Sequence, residues 1–142
     1  MHVRPIRFLV VESNPADAYL LLEALKQDEH TEVTVIDDGQ KALAFLLEEP
    51  RSPDLIFLDL NVTPVTGLEI LAQVRSNPRL QCIPVVVISG SRNGGDVRRA
   101  YQLGANCFIT KPTNLDQFLR CMKACHEFWA AIVTLPSKPT GE

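Results

Sequence analysis

Asp54-Leu55-Ile56-Phe57-Leu58-Asp59-Leu60-Asn61 is the stretch that decides the fold of this 142-residue chain. Leu55 to Leu58 form an unbroken apolar run that stops at Asp59. Such a run suits a strand covered on both faces, the setting of a parallel sheet. The same signature recurs on either side. Strands are predicted at 6–11 (IRFLVV), 33–36 (VTVI), 85–88 (VVVI) and 107–109 (CFI). Between them, apolar residues at helical spacing predict helices at 16–26, 40–48, 68–75 and 95–103, with a fifth beginning after Asn114. Asn14 is placed to cap the first helix, with Pro15 as its first residue. Asp38-Gly39 reads as a turn, and Asp37-Asp38 as the cap of the second helix.

Five strands alternating with five helices imply an α/β fold, a parallel sheet with helices on both faces and right-handed crossovers. Ligands of such sheets sit outside the carboxyl ends of the strands. Those ends read Glu12-Ser13, Asp37-Asp38, Asp59, Ser89 and Lys111. Acids, a hydroxyl and a lysine on one edge suit phosphoryl transfer to a carboxylate. Asp59 is the nucleophile, already ionised at neutral pH and needing no base. A cation beside it offsets repulsion from the incoming phosphoryl group. Glu12 is placed to help hold that cation, with magnesium favoured by an all-oxygen donor set. Lys111 and the Ser89 hydroxyl are placed to bind phosphate oxygens.

Composition excludes several classes. The chain is 46% hydrophobic and 22% charged, with a net charge of -3, enough apolar residue for one core and no sign of disorder. No Lys/Arg stripe supports an electrostatic grip on nucleic acid, and no apolar run approaches a membrane span. The N-terminus lacks a signal-peptide pattern. Cys82, Cys107, Cys121 and Cys125 are too scattered for a disulfide scaffold, which fits a cytoplasmic protein. Cys121, Cys125 and His126 form a weaker candidate metal clip, with a packed apolar face as the plainer reading. His2 and His30 lie in no phosphohistidine pattern, and Arg98-Arg99 reads as a solvated helix face.

The residues FLVVES at 8–13, DLIFLDLN at 54–61, Gly67, VVVIS at 85–89 and FITKP at 108–112 resemble the receiver domain of two-component response regulators, similar to the chemotaxis regulator. The resemblance covers roughly 6–128. It implies a flavodoxin-like strand order of 2-1-3-4-5 and phosphorylation of Asp59 by a sensor histidine kinase. It implies that the Asn61 backbone carbonyl joins Glu12 and Asp59 at magnesium. It also implies that Ser89 and Phe108 act as a switch pair, the hydroxyl moving to the phosphate and the ring filling the vacated space. Enzymatic activity is then limited to self-catalysed phosphotransfer and dephosphorylation. VESNPADAYLLLEAL, LGANCFITKP and HEFWAAIVTLP look like the stand-alone receivers that partner cyanobacterial and bacterial phytochromes, which points to a bacteriophytochrome as the kinase.

The chain departs from the family pattern at Ser13, where a second acid normally contacts the metal, and at Thr63-Pro64 and Thr66 in the loop after Asp59. Weakened magnesium binding is expected. The competing reading is a docking or dimerisation module that works without phosphorylation. A haloacid-dehalogenase-like phosphatase is a poorer match, because Asn61 cannot serve as the general acid that those enzymes place two residues after the nucleophile. No G-x-G-x-x-G follows the first strand, which disfavours a dinucleotide fold.

The fifth helix is predicted to run from Leu115 to Val133, roughly 28 Å at about 1.5 Å per residue. A five-residue strand spans only about 17 Å, so the end overhangs the sheet. The expected division is a receiver domain at 1–128 and a C-terminal arm at 129–142. Phe128, Trp129 and Ile132 are the candidate homodimer contacts.

Overall fold

In the computed structural model each apolar run is a strand, and the described residues are 4–26, 29–48, 50 and 52–136. The elements are β1 (Ile6–Val11), α1 (Pro15–Leu25), β2 (Thr31–Ile36), α2 (Gly39–Glu48), β3 (Leu55–Leu58), α3 (Gly67–Ser76), β4 (Val85–Ser89), α4 (Gly94–Gln102), β5 (Cys107–Thr110) and α5 (Leu115–Glu127). The strands form one parallel sheet in the order β2-β1-β3-β4-β5. The predicted fold class and strand order are those observed.

Strand alternation divides the core in two. Side chains of successive strand residues point to opposite faces. Leu9, Val11, Ile56, Leu58, Val85 and Val87 meet Ala42 and Leu46 of α2, Ile70, Leu71 and Val74 of α3, and Ala100 of α4. Phe8, Val10, Leu55, Phe57, Val86 and Ile88 meet Leu21, Ala24 and Leu25 of α1 and Phe118, Met122 and Cys125 of α5. All six residues of each strand set are buried. Burial of each large side chain contributes roughly 1.5–3 kcal/mol, which makes β1, β3 and β4 the rigid centre on which the site is built.

Several boundaries differ from the sequence reading. β2 starts at Thr31, because Thr31 pairs with Ile6 and the Ile6 N–H donates to the His30 carbonyl at 2.7 Å. Asp38-Gly39 is no separate turn. Gly39 is the first residue of α2, and Asp38 Oδ1 accepts from the N–H groups of Gln40 and Lys41 at 2.7 and 3.0 Å. Asn14 caps α1 as expected, accepting from the Ala16 and Asp17 N–H groups. Thr66, a departure from the family pattern, caps α3 in a reciprocal box with Glu69. The α-helical part of α5 ends at Glu127, and a single wide π-type turn over Phe128–Ile132 replaces the rest of the expected helix. Val133 is extended, its N–H donating to the Phe128 carbonyl at 2.8 Å.

Candidate functional site

The parallel register brings the strand ends together before any side chain is considered. Val11 pairs with Leu58, Leu58 with Val87, and Ser89 with Thr110. Glu12, Asp59, Ser89 and Lys111 therefore leave the same edge of the sheet. Backbone bonds hold them there: the Asp59 N–H donates to the Val11 carbonyl at 3.0 Å, and the Lys111 N–H to the Ser89 carbonyl at 2.8 Å.

The Lys111 ammonium is the hub. Its Nζ donates to Glu12 Oε1 at 2.7 Å, Asp17 Oδ2 at 2.8 Å and Asp59 Oδ2 at 2.9 Å. The remaining oxygens are also used. Glu12 Oε2 accepts from the Asn14 N–H at 3.1 Å, and Asp59 Oδ1 from the Asn61 N–H at 2.9 Å. Glu12 and Asp59 are buried, at 1% and 5% exposure. The site thus keeps two carboxyl groups and a cation in a setting where a lone charge would be costly.

Protonation follows from that setting. Burial, together with a hydrogen bond to Asp59, pushes the Glu12 carboxyl from 4.5 up to about 7. Burial also disfavours ionised Asp59, but hydrogen bonds from Glu12, the Asn61 N–H and Lys111 outweigh it and hold Asp59 below the usual carboxylate range. Burial works against a charged Lys111, yet Asp17, Glu12 and Asp59 together raise its pKa. Two neighbouring carboxyls thus separate in role: Asp59 stays anionic and Glu12 carries the easily titrated proton.

Ser89 is fully buried at the end of β4, and its Oγ accepts from the Ser91 N–H at 3.1 Å. Phe108 on β5 is half-buried against the core face of α2, α3 and α4, and its N–H donates to Tyr101 Oη at 3.1 Å. Gly67 lets α3 approach the site: a Cβ there would lie 2.6 Å from both the Asp59 carbonyl oxygen and Leu60 Cα. Ser13 is exposed and makes no contribution to the cluster around Lys111. Asp17, which the sequence reading did not single out, does contribute. Its signal was an acid in the first turn of the helix that follows Glu12 directly, at the same sheet edge.

The donor set suits magnesium. Two carboxylates and a backbone oxygen at Asn61 match an ion that takes one or two carboxylates and completes its shell with phosphate oxygens and water. Among the described residues no three His, Cys, Asp or Glu side chains are grouped to hold a metal by themselves. The Cys121-Cys125-His126 clip therefore has no such arrangement. Cys125 is buried in the α1–α5 face, which pushes its thiol up to about 12, and His126 Nε2 lies 3.2 Å from Thr31 Oγ1. No helix among the described residues is long and apolar enough to cross a membrane.

The candidate arm residues divide. Phe128 and Ile132 are exposed. Trp129 is half-buried, packed against the α1–α5 core face and edge-to-face with Phe128 at 5.3 Å between centroids. These two rings line an apolar groove with Cys107, Ile109, Cys121 and Cys125.

Residues 8–123 match the family described as response regulator receiver domain. Response regulator Rcp1 of Synechocystis sp. is 40% identical over 141 residues, covering 94% of this chain and 95% of that protein. The Mn2+-bound crystal form of Rcp1 superposes with a TM-score of 0.89 over 94% of this chain and 100% of that one. The phosphorylated cyanobacterial phytochrome response regulator RcpA is 42% identical with a TM-score of 0.90, over 94% of this chain and 99% of its own. The bacteriophytochrome response regulator RtBRR is 35% identical with a TM-score of 0.71, over 96% and 86%. The strand order, the carboxylate–lysine cluster at the sheet edge and these likenesses agree: the chain belongs to the response regulator receiver domain family, as a receiver of the kind that includes Rcp1 and the bacteriophytochrome response regulators.

Proposed function

We propose that Asp59 accepts a phosphoryl group from a sensor histidine kinase and that the phosphorylated chain signals by binding protein. The observation that carries this is the convergence of Lys111 on Asp59 and Glu12, beside an anionic Asp59. An Asp59 oxygen forms the new P–O bond while the donor's bond to phosphorus breaks, its electrons leaving with the donor. Lys111 turns to a phosphoryl oxygen, the Ser89 hydroxyl donates to another, and Phe108 follows it inward. A bound magnesium ion would supply charge neutralisation at the reacting carboxylate. Asp59 and the Asn61 carbonyl would hold it, with Glu12 acting through water, and Ser13 in place of a second acid would weaken the hold. The docking-only reading has less support, because the cluster is assembled in spite of Ser13.

A light-sensing kinase is the favoured donor, since RcpA and RtBRR are by description regulators of phytochromes. The setting is cytoplasmic. Residues 1–128 serve as the receiver and 129–142 as an arm that pairs two copies of this chain through Phe128, Trp129 and Ile132.

Beryllofluoride, a phosphoryl mimic, tests the site directly. With millimolar magnesium the full chain binds it and the Asp59→Asn variant does not. No binding by the wild-type chain would remove the proposal.

A further inference from the structure

An ammonium group has three protons, and here three carboxylates take one each. Glu12 and Asp59 sit at strand ends, as the chemistry demands. Asp17 does not. It lies in the first turn of α1, where Asn14 Oδ1 accepts from the Ala16 and Asp17 N–H groups and so fixes the backbone that carries it. Its side chain is 27% exposed against 1% for Glu12 and 5% for Asp59, which makes it the outer anchor of the lysine.

We propose that Asp17 is a positioning residue that acts on Asp59 through Lys111. It fixes the ammonium from the α1 side, so that Nζ pivots towards an arriving phosphoryl oxygen instead of leaving the site. Asp17, four residues after the uncharged Ser13, supplies the third carboxylate around the lysine. This rests on the reading of Asp59 as phosphoacceptor.

The test has two arms on the full chain. In the metal-free protein labelled with 15N, the Lys111 ammonium gives a resonance protected from solvent exchange. Asp17→Asn loses that protection and Asp17→Glu recovers it, with melting curves confirming that both variants fold. In the second arm, phosphoramidate with magnesium phosphorylates the chain. Asp17→Asn lowers the rate at saturating donor about tenfold, the scale of one lost charge-assisted hydrogen bond, and leaves the half-saturating concentration unchanged. In a Lys111→Met background the same change has no further effect. A protected lysine resonance in Asp17→Asn overturns the proposal, as does an equal slowing in both backgrounds. An Asp17-dependent resonance in a wild-type chain that takes up no phosphoryl group upholds the anchoring and counts instead against Asp59 as acceptor.

Discussion

Lys111 Nζ and Asp59 Oδ2 meet at 2.9 Å although their strands are not neighbours: β4 lies between β3 and β5. The lysine therefore reaches over the end of β4, past Ser89, and ties three strand ends to one point. Its removal leaves Glu12 and Asp59 buried without a cation. Stripping one partner from a buried ion pair costs about 3–5 kcal/mol. Lys111→Met is expected to lower stability to denaturant by about that amount, and adding Asp59→Asn to recover part of it. Equal unfolding midpoints for wild type and Lys111→Met would show that the cluster is solvated.

Ser13 lies beside Glu12 at the same sheet edge and is exposed. A carboxylate there adds one negative charge close to a divalent ion. Ser13→Asp is expected to tighten magnesium binding about tenfold or more, on Coulombic grounds. Isothermal titration of both chains at the same pH checks this, and equal affinities would contradict it.

The Glu12 proton gives a pH dependence with a definite sign. Its folded-state pKa of about 7 lies above the ordinary 4.5. Its contribution to stability is thus fully present below about 4.5 and is lost as pH rises through about 7. Magnesium requires the deprotonated form and runs the other way. Apparent affinity is expected to be flat above about 7 and to fall below it, by up to about tenfold per pH unit. A profile without a break near neutrality would contradict the assignment of Glu12 to the metal.

Phe128 and Ile132 are 48% and 65% exposed beside a groove that Trp129 lines. Truncation after His126 is expected to convert a dimer to a monomer in sedimentation velocity. An unchanged oligomeric state would dissociate the arm from self-association.

The strands were legible because β1, β3 and β4 are buried on both faces and leave continuous apolar runs. Glu12, Asp59, Ser89 and Lys111 were legible because parallel strands place their ends at one edge. Asp17 was not, since a first-turn acid reads as ordinary helix-dipole complementarity until Lys111 is seen bonded to it. The start of β2 was missed because Thr31 and Glu32 interrupt the apolar pattern on the outer strand, where their pairing with Ile6 and Arg7 is set by register and not by hydrophobicity. The end of α5 was overextended because Trp129 keeps the helical spacing although the backbone has widened into a π-type turn that packs the ring against its own domain.

The central claim is that Asp59 receives the phosphoryl group. Incubation of the full chain with phosphoramidate and magnesium, followed by borohydride trapping and peptide mass spectrometry, locates the acyl phosphate directly. The account predicts label on Asp59 alone, dependent on magnesium and absent from Asp59→Asn. Label on another residue, or none at millimolar magnesium, would contradict it.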